Sequence, residues 1–276
     1  MKNIFRLSFI LSLLMGLSYL QAHNLKQSVE SEDRSFNNVQ RDSYRHPFET
    51  LNFFGIKPEM TIVELSPGRG WYTEILATYM YDKGQLIAAA YDPSLGDYQK
   101  KSRERYESFL KGNSLYEKVE VVNLGSKLAE DGSVDAVLTF RNLHNWLGPQ
   151  MDSIFGNSFK TLKPGGIFGV VEHRAIPGTD LETMKKSGYV TEDHAIQVAL
   201  KHGFKLLAKS EINANPKDTK DHPKGVWTLP PSLRLEDLDK QRYIEIGESD
   251  RTGTTVYFKP DSSIFTSTEY NFEILA

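Results

Sequence analysis

The sequence of 276 residues contains no cysteine. Disulfide bonds, thiolate zinc sites, iron–sulfur clusters and thiol nucleophiles are therefore excluded. The sequence also has no excess of positive charge, because 33 lysines and arginines stand against 36 acidic residues, for a formal net charge of −3. Since binding to a phosphate backbone favours a basic surface, we expect no nucleic-acid partner.

Two common catalytic motifs are absent as well. The sequence has no HExxH or similarly spaced pair of metal ligands, and no GxSxG turn of the kind that carries the nucleophile of α/β-hydrolases. We therefore expect no resident metal ion. Four of the seven histidines could still converge in the folded chain: His46, His144, His173 and His222.

A long apolar run lies at the N-terminus. Lys2 and Arg6 precede a 14-residue stretch from Leu7 to Leu20, and the small residue Ala22 follows. This pattern is typical of a secretory signal peptide over residues 1–22. A permanent anchor helix is disfavoured because about 20 apolar residues are needed to cross a bilayer. We expect a periplasmic or secreted protein with no stable membrane association after signal cleavage.

The remaining chain divides into four parts. Residues 23–43 are polar and predict a loose arm or a surface helix, with ordered structure from near Tyr44. One domain is expected over residues 44–260, and residues 261–276 form a tail. Within the domain, residues 214–250 contain four prolines and little periodicity. Four apolar side chains favour a packed cover over this insertion: Val226, Trp227, Leu229 and Tyr243.

Short β-rich runs alternate with amphipathic stretches from residue 61 onward. This alternation is typical of βαβ units, which predict an α/β fold with a largely parallel sheet covered on both faces. The predicted strands are Thr61–Leu65, Gln85–Tyr91, Val119–Asn123, Ala136–Phe140, Gly166–Glu172, Lys205–Asn213 and Thr254–Lys259. The predicted helices are Trp71–Tyr81, Pro93–Leu110, Pro149–Thr161 and Thr191–His202.

The first predicted strand runs into the glycine-rich turn 66–70 and then directly into a helix. Glycines permit positive φ and close backbone approach, and a helix N-terminus offers free N–H groups, so this turn can hold the polar end of a nucleotide-type ligand. A tight strand-to-helix link is the structural alternative. Asp92 ends the second strand, where acidic groups often bind ribose hydroxyls, although an Asp-Pro surface turn is equally simple.

Residues 63–70, 131–140 and 162–166 follow in the order of the motifs of Rossmann-like S-adenosylmethionine-dependent methyltransferases, which this chain resembles. The resemblance implies a three-layer fold with a seven-stranded, mostly parallel sheet and an antiparallel last strand. It also implies S-adenosylmethionine as the cofactor. The cofactor contacts that it implies are Glu64, Ser66, Pro67, Gly68, Gly70, Tyr72 and Asp92.

Within that family the chain is similar to a group of exported predicted methyltransferases, through residues 44–47, 140–146, 215–218 and 225–231. Two features depart from the family pattern. Ser66 stands where the first glycine is usual, and residues 123–126 lack the acid that often meets the adenine amino group.

Candidate catalytic residues follow the fourth and fifth strands, because ligands of open α/β sheets lie outside the carboxyl ends of the strands. His144 is a candidate general base, Asn142 a candidate for positioning the acceptor, and Arg141 a candidate clamp for its carboxylate or phosphate. His173 offers a second polar group. The alternatives are that His144 only packs, and that Arg141 pairs with Glu64 or Glu172.

The leading hypothesis is an S-adenosylmethionine-dependent methyltransferase that acts on an unknown small acceptor. We expect the arm and the insertion to form walls over the pocket, with Trp227 as an aromatic platform. The alternative is a non-catalytic exported binding protein whose Rossmann-like cradle holds another nucleoside-like or anionic ligand. A nicotinamide oxidoreductase is disfavoured because the turn lacks the third glycine of the dinucleotide fingerprint.

Overall fold

The computed structural model describes residues 24–251 and 254–261. The predicted signal peptide and all of the predicted tail except Asp261 lie outside these residues. Within the described ranges, no helix combines the length and the apolar character needed to cross a membrane.

The described chain forms seven strands and eleven α-helices, joined by three short 3₁₀ helices. The strands are β1 Thr61–Leu65, β2 Gln85–Ala90, β3 Glu120–Asn123, β4 Val134–Phe140, β5 Leu162–Val171, β6 Lys205–Ser210 and β7 Thr254–Phe258. The α-helices are α1 Leu25–Val29, α2 Phe36–Val39, α3 Asp42–Arg45, α4 Pro47–Phe53, α5 Thr73–Met80, α6 Asp97–Leu110, α7 Leu143–Trp146, α8 Pro149–Thr161, α9 Leu181–Ser187, α10 Glu192–Lys201 and α11 Lys240–Ile246. The 3₁₀ helices are Pro93–Leu95, Ser114–Tyr116 and Gly225–Thr228.

The strands form one sheet in the order β3-β2-β1-β4-β5-β7-β6. Strands β1 to β5 pair in parallel, and β7 runs antiparallel to both of its neighbours. The predicted fold class is confirmed. The strand order reverses between β1 and β4, and the crevice outside the carboxyl ends of these two strands is the expected ligand site of such a sheet.

The core lies on both faces of the sheet, as the helical crossovers require. Val63 and Leu65 of β1 belong to one buried cluster, with Phe155 of α8, and Ile62 belongs to the cluster on the opposite face. Glu64 lies between Val63 and Leu65 in sequence, so alternation places its carboxyl on the same face as Ile62.

The polar arm is helical and packed, and order begins at residue 24 rather than near Tyr44. Asn24 and Gln27 form a capping box on α1. Arg34 has a fully buried side chain and donates two hydrogen bonds to the carboxylate of Asp42, at 2.7 and 2.9 Å. These tertiary contacts hold helices that are too short to be stable alone.

The insertion is a packed cover, as the sequence predicts. Three of its apolar side chains are buried: Val226, Leu229 and Tyr243. The buried carboxylate of Asp218 ties the insertion to the domain, because it accepts hydrogen bonds from the Tyr189 hydroxyl at 2.9 Å and lies 2.8 Å from Nε2 of His222.

Candidate active site

The turn after β1 keeps a glycine-like backbone at Ser66. Its φ is 49°, in the left-handed region, and its N–H donates to the carbonyl of Ala89 at 2.9 Å. The serine that departs from the family pattern therefore adopts the conformation that a glycine takes at lower cost. Non-glycine residues held in this region often mark a functional site.

The two glycines of the turn have different roles. Gly68 has φ 64°, and a Cβ built on it would meet nothing within 4 Å. Gly70 has φ 85°, and a Cβ there would lie 2.2 Å from Cε1 of Phe109 in α6. Gly68 therefore faces open space, whereas Gly70 allows the turn to pack closely against α6.

The open side of the turn faces a cavity of about 690 Å³. Ligand pockets usually measure roughly 300–1,000 Å³. Its lining residues come from the arm, the turn, the end of β4 and the insertion: Asn37, Asn38, Gln40, Arg41, Arg45, Glu64, Ser66, Pro67, Gly68, Arg69, Trp71, Tyr72, Phe140, Arg141, Asn142 and Pro231.

The cavity brings most of the predicted cofactor residues together with two predicted catalytic residues. Arg141 and Asn142 line it, together with the turn, whereas Gly70, Asp92 and the two candidate histidines do not. Of the two predicted walls, the arm contributes several side chains, and the insertion contributes Pro231.

Tyr72 and Phe140 form an aromatic wall of this cavity. Their rings stack with centroids 3.4 Å apart and planes 12° from parallel. Burial raises the pKa of Tyr72 well above its ordinary value, so its hydroxyl is neutral. Next to Tyr72, Trp71 donates from Nε1 to the carbonyl of Asn38 at 3.0 Å and so attaches the arm to the cavity.

Glu64 is a buried carboxyl on the cavity lining, only 2% exposed. Burial raises its pKa to about 7, although a hydrogen bond from Thr73 Oγ1, at 2.6 Å, opposes the shift. This group therefore changes charge near neutral pH, and an approaching cation would favour its ionised form.

An arginine cluster borders the cavity and was not predicted. The buried carboxylate of Glu248 pairs with Arg41 Nε, with Arg45 Nε at 3.8 Å, with Arg141 Nη1 at 3.2 Å and with Arg251 Nη2 at 2.6 Å. Burial opposes ionisation of Glu248, but its arginine neighbours outweigh this effect and hold its pKa below the usual range. Arg141 therefore pairs with Glu248 and not with the predicted Glu64 or Glu172.

Asn142 braces the site from beneath. Its amide nitrogen lies within hydrogen-bond distance of the carbonyls of Leu65 and Ser66, both at 3.3 Å, and of Thr139 Oγ1 at 3.1 Å. The side chain thereby joins the exit of β4 to the turn after β1. A positioning role for the cavity walls follows from these contacts.

The two candidate histidines meet beside the cavity, at Glu172. His144 Nδ1 lies 3.0 Å from Glu172 Oε1, and the rings of His144 and His173 are 5.2 Å apart. Burial, followed by the positive charges of His144 and Arg141, lowers the pKa of His173 well below its ordinary value, so His173 is neutral.

These three side chains also have the composition of a metal site, with ligand atoms within 4.8 Å of one another. Glu172 nevertheless has protein partners at both oxygens, since it accepts from the N–H groups of Leu143 and His173. Of the remaining histidines, His222 pairs with Asp218 elsewhere.

Asp92 lies at the end of β2, but not on the cavity lining. Its Oδ1 accepts from the N–H and hydroxyl of Ser94, at 2.9 and 2.7 Å, and these bonds lower its pKa. Its role in ribose binding stays a prediction.

Trp227 stands against His144, with ring centroids 6.0 Å apart, and Arg234 lies over its other side at 4.7 Å. It is absent from the cavity lining, where Pro231 represents the insertion instead. The expectation that Trp227 forms a platform in this cavity is therefore wrong. The cis peptide between Pro230 and Pro231 lies in the same segment.

Comparison with known proteins connects this geometry to a family. Residues 63–170 match the family model described as "Methyltransferase domain". This range spans β1 to β5, so it includes the turn, the end of β4 and most of the predicted motifs.

Solved structures share the fold at low sequence identity. An S-adenosylmethionine-dependent methyltransferase from Aquifex aeolicus is 17% identical, with a TM-score of 0.51 over 69% of this chain and 94% of that one. The cyclase SpnF is 14% identical, with a TM-score of 0.52 over 86% of this chain and 92% of that one. Since the fold carries more than one reaction, the function must be argued from the site.

Curated relatives match over one short segment. The B-type DNA gyrase chain of Eisenibacter elegans is 58% identical over 31 residues, which are 11% of this chain and 6% of that protein. The same gyrase chain of Chitinophaga japonensis is 66% identical over 32 residues, 12% of this chain and 7% of that protein. The chain thus spans less than a tenth of the length of these relatives, and no gyrase activity follows for it.

Proposed function

We propose that the protein, whose residues 63–170 match the methyltransferase-domain family, is an S-adenosylmethionine-dependent methyltransferase that acts on a small acceptor. One observation carries the proposal. The open side of the glycine turn and the end of β4 face the same cavity, at the point where the strand order reverses.

The residues of the turn fit such a cofactor. Ser66 Oγ is buried and has no hydrogen-bond partner among the described residues, and Gly68 leaves room for close approach. Glu64 supplies a carboxyl that ionises when a cation approaches. These residues, with the Tyr72 ring as a wall, would hold the cofactor.

When bound, S-adenosylmethionine supplies a methyl group on a sulfonium; the acceptor's lone pair forms the new bond to carbon while the electron pair of the broken bond stays on sulfur. The protein's part is alignment and removal of any proton that the acceptor loses. His144 is the proposed base, because Glu172 orients its Nδ1 and leaves Nε2 to accept that proton. Since His144 lies beside the cavity, this role requires an acceptor that extends past Arg141 toward it.

Calorimetric titration of the purified protein with S-adenosylmethionine and its demethylated product tests the proposal. Gly68→Ala is expected to weaken binding at least tenfold, because its Cβ enters the cavity. Gly132→Ala is a matched control, since Gly132 has φ 68° and equally open surroundings but lies in the turn before β4. Absence of binding to the unaltered protein would remove the proposal.

The alternative, a non-catalytic binding protein, is favoured by the positions of Asp92 and His144 outside the cavity lining. Mass spectrometry of the ligand that copurifies with the protein discriminates between the two functions. A bound nucleoside or anion unrelated to S-adenosylmethionine would support the binding protein.

We also propose that residues 1–22 direct export and are then removed. N-terminal sequencing of the protein from the periplasm or medium is expected to begin at His23. A chain that keeps Met1 and sediments with membranes would contradict this proposal.

A further inference from the structure

The wall of the cavity holds more positive than negative charge. Four guanidinium groups surround the single carboxylate of Glu248, and three of them, on Arg41, Arg45 and Arg141, line the cavity. Glu64 is the other acidic group on the lining, and its pKa of about 7 leaves it only partly ionised at neutral pH. Glu172 acts on Arg141 from outside the lining, but it also bonds to His144. Positive charge remains in excess when all three acids are counted.

Two of these arginines carry donors that the protein does not satisfy. Arg45 is only 4% exposed, and its Nε has no hydrogen-bond partner among the described residues. Nη2 of Arg41 is buried and equally without a partner there. Because a buried charged donor without a partner is costly, this arrangement indicates a ligand that completes it.

The cluster is rigid. Asn215 donates from Nδ2 to the backbone carbonyl of Glu248 at 2.6 Å and so fixes the central acid. Arg45 lies over the ring of Trp71, 4.3 Å from its centroid. Arg141 sits at φ 61°, a strained conformation held by the surrounding structure. Guanidinium groups fixed in this way suit the planar, two-point recognition of oxygen anions.

The cofactor would add to the excess of positive charge. S-adenosylmethionine has one carboxylate, one ammonium and one sulfonium, so its binding brings a further net positive charge into the cavity. Since like charges repel strongly in a partly buried site, the second ligand must bring the compensating negative charge.

We propose that the acceptor carries a dianionic oxygen group, a phosphate monoester or a dicarboxylate, which Arg41, Arg45 and Arg141 bind. The word acceptor rests on the proposed function, whereas the anion site itself stands on the cluster alone. Arg141 adjoins Asn142, the residue that joins β4 to the turn, so the anion is held next to the cofactor region.

Calorimetric titration at constant ionic strength tests the site, with inorganic phosphate, succinate and acetate as probes. Phosphate or succinate is expected to bind at least tenfold more tightly than acetate, and the comparison of the two distinguishes a phosphate from a dicarboxylate site. Arg41→Gln is expected to weaken the favoured dianion at least tenfold. Arg234→Gln, which removes a guanidinium over Trp227 outside the cavity, is expected to leave binding unchanged.

Two results would overturn the anion site: no dianion binding by the unaltered protein, or equal effects of the two substitutions. Repeating the titration with saturating demethylated cofactor separates the subsites. Retained dianion binding supports an acceptor site, whereas competition would assign the arginines to the cofactor's carboxylate and overturn the proposal. If the cofactor does not bind but the dianion does, the methyltransferase function fails while the anion site survives as that of a binding protein.

Discussion

At the scale of single residues, Glu64 is the most informative group. Its acidic side chain lies on a buried face of β1 and borders the cavity, where Thr73 alone donates a side-chain hydrogen bond to it among the described residues. The sequence predicted a cofactor role for this residue, but not its raised pKa, which depends on how completely the fold surrounds it.

Glu64 is expected to make stability depend on pH. Its pKa is raised to about 7, so the folded protein binds more protons than the unfolded chain between the ordinary value of 4.5 and about 7. Its contribution is therefore fully present below about pH 4.5 and is lost as the pH rises to 7. Glu64→Gln should remove this trend and stabilise the protein at pH 8 by roughly 3 kcal/mol. Urea unfolding of both proteins at pH 5 and pH 8 measures it, and identical pH profiles would contradict the buried environment.

The glycines of the turn give a second residue-scale prediction. Gly70→Ala should destabilise the protein by about 1–3 kcal/mol more than Gly68→Ala, because only the former Cβ meets the ring of Phe109. Both positions have positive φ, so the strain of the substitution cancels in the comparison. Thermal unfolding of the two variants measures the difference, and equal midpoints would show that the ring moves freely.

At the scale of elements, the strands could be predicted closely and the arm could not. β1 and α8 have the predicted bounds, because buried apolar runs and a proline at the first helical position are local signals. Strand β5 begins at Leu162 rather than at the predicted Gly166, and β6 ends at Ser210 rather than Asn213. The four- and five-residue helices of the arm depend on Arg34 and Trp71, whose partners are decided by tertiary packing.

Trp71 is expected to hold the arm in place. Trp71→Leu removes the hydrogen bond to the Asn38 carbonyl and the ring beneath Arg34 and Arg45. Limited trypsin digestion should then cleave within residues 30–46 at least several-fold faster. Trp227→Leu is the control, since Trp227 also lies beneath an arginine but packs against the insertion and His144 instead of the arm; equal rates for both variants would contradict the role of Trp71.

At the scale of the whole molecule, the site is assembled from distant parts of the chain. The turn and the end of β4 were predictable, because parallel strands bring their carboxyl ends together. The arginine cluster was not, because Arg141 and Glu248 are separated by 107 positions and no local pattern links them. The expected convergence of four histidines reduces to His144 and His173 for the same reason.

The attachment of the insertion is expected to govern global stability. Asp218→Asn weakens a buried carboxylate that accepts from Tyr189 and from the N–H of Asp250, and should cost roughly 3 kcal/mol. Asp221→Asn is the control, because Asp221 is exposed and bonds only locally to Thr219. The urea midpoints of the two variants measure the difference, and a similar small loss in both would show that the insertion is anchored elsewhere.

The shared carboxylate of Glu248 has a consequence for the order in which the molecule matures. Its partners Arg41 and Arg141 leave the ribosome 207 and 107 positions earlier. A nascent chain that ends before Glu248 therefore holds its arginines together without their counterion, and mutual repulsion keeps the arm away from β4. Only a chain completed beyond this glutamate acquires the charged wall, so synthesis itself delays the appearance of a competent site.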